Sequence, residues 1–368
     1  MSQTIRVVVV DDSALSQRLI TAMIERDPQI RVVGTARDGR EALTVVQSLR
    51  PDVVTMDVRM PVMDGLETTE RLMAYCPTPI LVLTASLNSH EVDITFKMLG
   101  AGALEVIEKP SGTDPQALEQ VADRLIRRIK VLARVKVVTH LRGRRHGNEQ
   151  PAGAIATVPG PLPPPNRQPD FPVIVIGAST GGPRVIAQIL ADLPAPFPAA
   201  LIVVQHIAEG FGAGLAEWLN VVGRIPVVVA ATGQVVRPNH VIVAPDRADL
   251  VIRPDATLHL TTEPLLIQKP AIDITMQAAA AVFKTRTIGV LLTGMGRDGA
   301  AGMLAIRQAG GHTIAQDSAS SAIFGMPRAA IDLNAAVEVL PAGRIGARLI
   351  ELTGSMAATT MLDQQGTQ

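Results

Sequence analysis

VIVIGASTGGPRVI, residues 173–186, decides how the chain is read. A short apolar run rich in β-branched residues ends at Gly177, the pattern of a strand buried on both faces of a parallel sheet. A glycine-rich turn follows, and a helix-compatible stretch opens near Pro183, where proline suits a first helical turn. Gly177, Ser179 and Gly181 give the turn G-x-S-x-G spacing. A serine on a sharp strand-to-helix turn projects its hydroxyl at the top of the sheet, with helix N-terminal amides nearby to hold an oxyanion. Such a turn can also cradle a phosphate. The Walker order fails, since Arg184 follows Pro183, and G-x-G-x-x-G is absent. From the loop alone, a nucleophilic serine and a nucleotide cradle both stay open.

Outward from this turn, strands are expected at AALIVVQ (199–205), PVVVAA (226–231), TIGVLLTG (287–294), HTIAQ (312–316) and AVEVL (336–340). Helices are expected from about 183 and over 211–220, 272–283, 299–309 and 326–333. HVIVAP, DLVIRP and TLHLT (240–261) have hairpin spacing. The pattern implies a mostly parallel, Rossmann-like α/β domain with an antiparallel hairpin, ending in a frayed polar tail after Gly354.

A serine nucleophile needs a base, and the base needs a third group to orient it. His206 terminates AALIVVQH, and Asp298 lies just after another strand in LLTGMGRDG. Alone, each has an ordinary structural explanation: a strand-end histidine, and an aspartate capping a turn before glycine. Together with Ser179 they fall at the C-terminal strand ends of one domain, where open α/β sheets bind ligands. Their order, Ser-His-Asp, differs from the Ser-Asp-His order of the α/β-hydrolase fold and points to a convergent triad.

The first 135 residues alternate in the same way. Strands at IRVVVV (5–10), RVVGTA (31–36), DVVTMD (52–57), PILVLTA (79–85) and ALEVIEKP (103–110) interleave with helices, the last from Pro115 to about Val135. The expectation is a doubly wound, five-stranded parallel, flavodoxin-like domain. Asp11 and Asp12 follow the first strand, Asp57 the third, Thr84 the fourth and Lys109 the fifth. Clustered carboxylates repel and call for a cation, and hard oxygen ligands suit Mg²⁺. An aspartate beside the metal can accept a phosphoryl group, whose oxygens Lys109 and Thr84 would neutralise.

Between the two domains, THLRGRRHGNEQ (139–150) and PAGAIATVPGPLPPPNRQPD (151–170) read as a polar, then Pro/Gly-rich linker. Lys+Arg and Asp+Glu balance at 34 each, against a general nucleic-acid binder. The single cysteine, Cys76, excludes an internal disulfide and suits a reducing compartment. MSQTIRVVVVDD is too short in apolar residues for a signal peptide, and no stretch reaches the ~18 apolar residues of a membrane span, so a cytoplasmic protein is expected. His90, His140, His146, His240, His259 and His312 lack metal-ligand spacing.

VVDDS, MDVRMPVMDG, LTAS and EKP resemble the response-regulator receiver domain over residues 4 to about 122. The resemblance implies that Asp57 is phosphorylated. It also implies that Asp11, Asp12 and the backbone carbonyl of Arg59 join Asp57 in holding Mg²⁺, that Thr84 and Lys109 contact the phosphoryl group, and that the bond before Pro110 is cis. Val106 stands where receivers commonly carry Tyr or Phe, a departure from their aromatic switch.

IGASTGGP, VVQHIAEGF, LLTGMGRDGAAG and IAQDSASSAIFGMPRAA resemble the catalytic domain of chemotaxis protein-glutamate methylesterases, the CheB family, over about 171–352. That resemblance implies Ser179 as nucleophile, His206 as general base and Asp298 as the residue orienting it. Thr180 and Met295 would line the cleft, with oxyanion donors among backbone amides near Ser179 and Met295. Asp273 in PAIDITMQ reads as a helix N-cap beside that cleft. Asp249 in APDRADL replaces a histidine common in the family, a change expected at the substrate contacts.

The implied organisation is a receiver (1–122), a helical extension and linker (123–170), a methylesterase domain (171–354) and a polar tail (355–368). The implied activity is phosphorylation-activated hydrolysis of glutamate γ-methyl esters on chemoreceptors, releasing methanol, with deamidation of receptor glutamines. The implied partners are methylated chemoreceptors and a chemotaxis histidine kinase, with peripheral contact to membrane receptors, no membrane insertion and no nucleic acid. Mg²⁺ serves the receiver, and the esterase chemistry uses no cofactor.

Overall fold

A computed structural model of the chain describes residues 4–85, 89–110, 114–135, 137, 170–263 and 269–365. The expected linker (139–170) lies outside the described residues apart from Asp170, and so do His140 and His146 within it. The chain divides into two compact units, Met1–Asn148 and Glu149–Gln368.

In the first unit, β1 (Ile5–Val10), β2 (Ile30–Ala36), β3 (Val53–Asp57), β4 (Ile80–Thr84) and β5 (Glu105–Glu108) form one sheet in the order β2-β1-β3-β4-β5. All four pairings are parallel. Val7 to Val10, Val53 and Val54 are buried, as strands covered on both faces require. The intervening helices are α1 (Ala14–Ile24), α2 (Gly39–Leu49), α3 (Gly65–Tyr75) and α4 (Ser89–Ala101), and α5 (Pro115–Leu132) follows β5. Local chemistry sets their starts. Asp38 accepts from the Arg40 and Glu41 amides, and Asp64 accepts from the Glu67 amide. The chain changes direction between β1 and β3, so a crevice opens at their C-terminal ends.

The second unit is a seven-stranded sheet in the order β14-β13-β12-β6-β7-β9-β8. Its strands are β6 (Val173–Ala178), β7 (Ala200–Gln205), β8 (Val227–Val229), β9 (His240–Val243), β12 (Thr287–Leu291), β13 (His312–Gln316) and β14 (Glu338–Leu340). Every pairing in it is parallel. β10 (Asp249–Ile252) and β11 (Leu258–Thr261) form a separate antiparallel pair. Of the three segments with hairpin spacing, only the last two make the hairpin. HVIVAP instead joins the parallel sheet, because its apolar face finds β7 and β8 as neighbours, a choice no local pattern encodes.

The helices are α6 (Gly182–Asp192), α7 (Gly212–Val222), α8 (Ile272–Phe283), α9 (Ala300–Gln308), α10 (Met326–Asp332) and α11 (Ala342–Gln365). Ile272, Met276, Leu291, Met303 and Ile306 belong to one buried cluster that ties α8 and α9 to β12. The expected frayed tail is instead the last part of α11. Polar composition does not oppose a helix there, since Met, Ala, Leu and Gln are good helix formers. Among the described residues no helix is long and apolar enough to cross a membrane.

Candidate functional site

In the second unit β12, β6 and β7 are adjacent, and Asp298, Ser179 and His206 follow their respective C-terminal ends. Register brings two of them together. Ala178 stands opposite Gln205, so Ser179 and His206 are the next pair on strands about 4.8 Å apart. The His206 amide donates to the Ala178 carbonyl at 2.9 Å, and on the other side the Ser179 amide donates to the Thr293 carbonyl at 3.0 Å. Both side chains are buried.

Asp298 completes the group from the loop after β12. Its Oδ2 accepts from His206 Nε2 at 2.7 Å and from the Ile272 amide at 2.8 Å. Its Oδ1 accepts from the Asp273 and Gly299 amides, each at 2.9 Å. The Ile272 and Asp273 amides open α8, so the carboxylate also sits at the positive end of that helix dipole. Burial alone would raise the Asp298 carboxyl, but His206 and the α8 amides outweigh it and hold it below its ordinary value. An ionised Asp298 accepts the Nε2 proton, which leaves Nδ1 as the basic ring nitrogen. Among the described residues the Ser179 hydroxyl has no hydrogen-bond partner. Nucleophile–base contacts commonly tighten only around a substrate.

The turn itself is built for this placement. Gly181 has φ +77°, and a Cβ there would meet the Ala322 Cβ at 2.8 Å. Gly181→Ala therefore combines left-handed strain with a steric clash and is expected to cost about 2 kcal/mol or more. Thermal unfolding checks this, and an unchanged midpoint would rule the strain out. Thr180 is buried, and its carbonyl accepts from Thr293 Oγ1 at 3.0 Å. Met295 is 55% exposed at the lip of the β12 loop. The amides of Gly181 and Met295 have no hydrogen-bond partner among the described residues and are the candidate oxyanion donors.

Two expectations change. Asp273 is not the N-cap, since Ala271 holds that position. The Asp273 Oδ1 instead accepts from the Gly302 amide at 2.6 Å and joins α8 to α9. Burial first, then the nearby Asp298 charge, raises its carboxyl above the ordinary value. Asp249 is fully buried rather than facing a substrate. It accepts from Lys269 Nζ and from the Ala271 amide, both at 2.7 Å, and so fixes the residues leading into α8. A buried carboxylate needs such partners to keep its charge.

In the first unit four of the expected residues, Asp11, Asp12, Asp57 and Lys109, converge. One carboxylate oxygen each from Asp11, Asp12 and Asp57 lie within 4.8 Å of one another. Lys109 Nζ stands 2.7 Å from Asp11 Oδ2 and 2.8 Å from Asp57 Oδ2. Burial, with repulsion from Asp11, raises the Asp57 carboxyl despite the ammonium. Burial works the other way on Lys109, but the two carboxylates outweigh it and raise the ammonium's value. One cation facing three carboxylates leaves the cluster acidic, and a hard divalent cation fits this all-oxygen donor set. The Arg59 carbonyl has no donor among the described residues.

Thr84 is at the rim with its hydroxyl already engaged, donating to Glu91 Oε2 at 3.0 Å. Arg59 Nε pairs with the same carboxylate at 3.1 Å. Val106 is buried on β5 opposite Val82. The cis bond expected before Pro110 is not found. Among the described residues cis bonds precede Pro196 and Pro270. An X–Pro pair favours trans by only about 0.5–1 kcal/mol, so sequence does not fix the isomer.

Two further residues at these sites were not singled out in the sequence. Glu91 looks like an ordinary first-turn acid of α4. Gln205 looks like a strand-end polar residue, yet it is buried and contacts both Ser179 and His206 through their backbones.

A family model described as CheB methylesterase matches residues 174–349, and one described as Response regulator receiver domain matches residues 7–123. Protein-glutamate methylesterase/protein-glutamine glutaminase 1 of Syntrophus aciditrophicus is 41% identical over 361 residues, which cover 96% of this chain and 99% of that protein. Protein-glutamate methylesterase/protein-glutamine glutaminase 2 of Anaeromyxobacter dehalogenans is 44% identical over 350 residues, covering 95% and 97%. The crystal structure of the Thermotoga maritima CheB methylesterase catalytic domain aligns with a TM-score of 0.48 at 38% identity, covering 50% of this chain and 98% of that one.

Proposed function

Because the chain belongs to the CheB methylesterase family, we propose that it is a protein-glutamate methylesterase and protein-glutamine glutaminase switched on by phosphorylation of Asp57. The observation that carries this reading is the Asp298–His206 pair beside Ser179 past the C-terminal ends of three adjacent parallel strands. In the proposed reaction His206 Nδ1 takes the Ser179 proton as Oγ attacks the γ-carbonyl of a glutamyl methyl ester on a chemoreceptor. The Gly181 and Met295 amides receive the developing oxyanion. His206 then returns the proton to the departing methoxide, and methanol leaves. Water, deprotonated by the same imidazole, hydrolyses the acyl-enzyme to glutamate. With a glutamine side chain the leaving group is ammonia, and the product is again glutamate. Asp298 keeps the imidazole in the required tautomer and stabilises its cation.

In the receiver, Asp57 accepts the phosphoryl group from a histidine kinase, and Lys109 and Thr84 hold its oxygens. Asp11, Asp12, Asp57 and the Arg59 carbonyl would hold Mg²⁺, which supplies charge neutralisation when bound. Thr84 must release Glu91 to reach the phosphoryl group. The protein works in the cytoplasm, against the cytoplasmic helices of membrane receptors.

The test is methanol release from methylated receptor membranes, with and without a small-molecule phosphodonor and Mg²⁺. Release by the full chain supports the esterase reading, and no release from any methylated receptor overturns it. The phosphodonor is expected to raise the rate about tenfold or more, which requires a shift of roughly 1.4 kcal/mol between less and more active states. Asp57→Asn is expected to abolish that increment. A stimulated rate that survives the substitution would separate activation from Asp57.

A further inference from the structure

We propose that Gln205 is a positioning residue of the esterase site, its side-chain nitrogen tying the nucleophile's backbone to that of the base. The inference rests on the reading of Ser179 and His206 as that pair. Gln205 is the last residue of β7 and is 3% exposed. Its Nε2 donates to the Ser179 carbonyl at 2.9 Å and to the His206 carbonyl at 2.8 Å. Those carbonyls follow the ends of two different strands, β6 and β7, and the ladder between the strands stops one step earlier, at the bond from the His206 amide to the Ala178 carbonyl. The two hydrogens of one amide thus extend the join past the sheet's edge, where the two reactive side chains take their directions. The Ser179 carbonyl also accepts from the Gly182 amide at 2.8 Å, the bond that closes the turn beneath the serine. Holding the His206 carbonyl fixes the peptide that follows the histidine and, with it, the path by which the ring meets Asp298.

The other end of the amide argues the same way. Gln205 Oε1 is buried with no partner among the described residues. An orphaned polar atom of this kind carries a desolvation cost that an apolar side chain of the same shape would not. The opposite amide orientation would face Oε1 onto two carbonyl oxygens, so the donors are fixed where they are. Gly182 leaves room for the oxygen, since a Cβ there would lie 2.4 Å from it. The donor end therefore accounts for the amide at this position.

Serine and imidazole must meet within hydrogen-bond reach, and a displacement near 1 Å costs roughly 10²-fold in rate. Loss of the tie should fall on kcat, because Gln205 is buried and its donors are spent on two backbone carbonyls rather than offered to a substrate. The experiment compares the full-length parent with Gln205→Met (same shape, no donor) and Gln205→Glu (same shape, acceptor only when ionised). It measures kcat and KM for methanol release and the rate at which a fluorophosphonate labels Ser179, with thermal midpoints recorded. The expected result is a loss of about 10–100-fold in kcat with KM within about threefold, and a matching loss in labelling rate. A folded Gln205→Met that turns over and labels within about threefold of the parent overturns the proposal, and so does a rise in KM at unchanged kcat. If Gln205→Met does not fold, Gln205→Glu is judged by the same criteria, with Gln205→Asn, which keeps the donors but is one methylene short, as the third variant. If the parent labels at Ser179 but releases no methanol, the proposed substrate is wrong, and the labelling rates alone decide the role of Gln205. A parent that does not label at Ser179 overturns both.

Discussion

Ser179→Ala is expected to lower methanol release on the order of 10⁶-fold, to background, without lowering stability. The two halves of this result have one cause. The Ser179 side chain is 4% exposed and its hydroxyl has no hydrogen-bond partner among the described residues. Alanine keeps the Cβ packing and removes the unpartnered oxygen. The turn does not depend on the hydroxyl, because its bonds run through the backbone: the Ser179 amide to Thr293, and the Ser179 carbonyl to Gly182 and Gln205. The unfolding midpoint of Ser179→Ala is therefore expected to stay within about 2 °C of the parent's, less than 1 kcal/mol for a unit of this size. Calorimetry and methanol release on the same preparation check both halves. Turnover within tenfold of the parent would remove Ser179 from the mechanism. A midpoint several degrees lower would mean that the hydroxyl serves the fold rather than the chemistry.

What was legible in the sequence was whatever is written locally. IRVVVV and VIVIG are strands because β-branched runs of that length have few other stable uses. The triad and the acidic cluster could be collected because parallel strands deliver their C-terminal residues to one edge, so alternation alone placed Ser179, His206 and Asp298 together, and likewise Asp11, Asp57 and Lys109. The remainder depended on partners distant in sequence. HVIVAP could not announce that it pairs with β7 rather than with DLVIRP. Gln205 looked like a polar residue closing a strand, and its two acceptors belong to loops whose paths were unknown. Asp273 looked like a cap because an acid before a helical stretch usually is one. The capping is done instead by Asp298, 25 residues away from the Asp273 amide it accepts. Glu91 became visible only when α4 carried it back to Thr84 and Arg59.

Asp298→Asn is expected to lower kcat by about 10³–10⁴-fold and, unlike Ser179→Ala, to destabilise the fold as well, by about 2–3 kcal/mol at neutral pH. All four donors to Asp298 point at oxygen: His206 Nε2, and the amides of Ile272, Asp273 and Gly299. An asparagine offers one oxygen and must turn its NH₂ toward either the α8 amides or the imidazole. The first choice sets donor against donor at a helix N-terminus that has also lost its anion. The second forces the ring into the wrong tautomer, with its proton on the nitrogen that must take the serine's. The pH dependence follows from the sign of the shift. The native Asp298 carboxyl titrates below its ordinary value of 3.8. Its contribution is therefore fully present above the unfolded value and is lost as pH falls through the native one. The stability gap between parent and Asp298→Asn should be constant from pH 7 down to about 5 and close only in the acid range below the ordinary carboxylate value. Thermal unfolding of both proteins across that range checks it. A gap that closes between pH 7 and about 5 instead would mean that a group other than the Asp298 carboxyl controls it. A gap absent at every pH would mean that the four bonds to Asp298 do not stabilise the fold, leaving tautomer control as its only task.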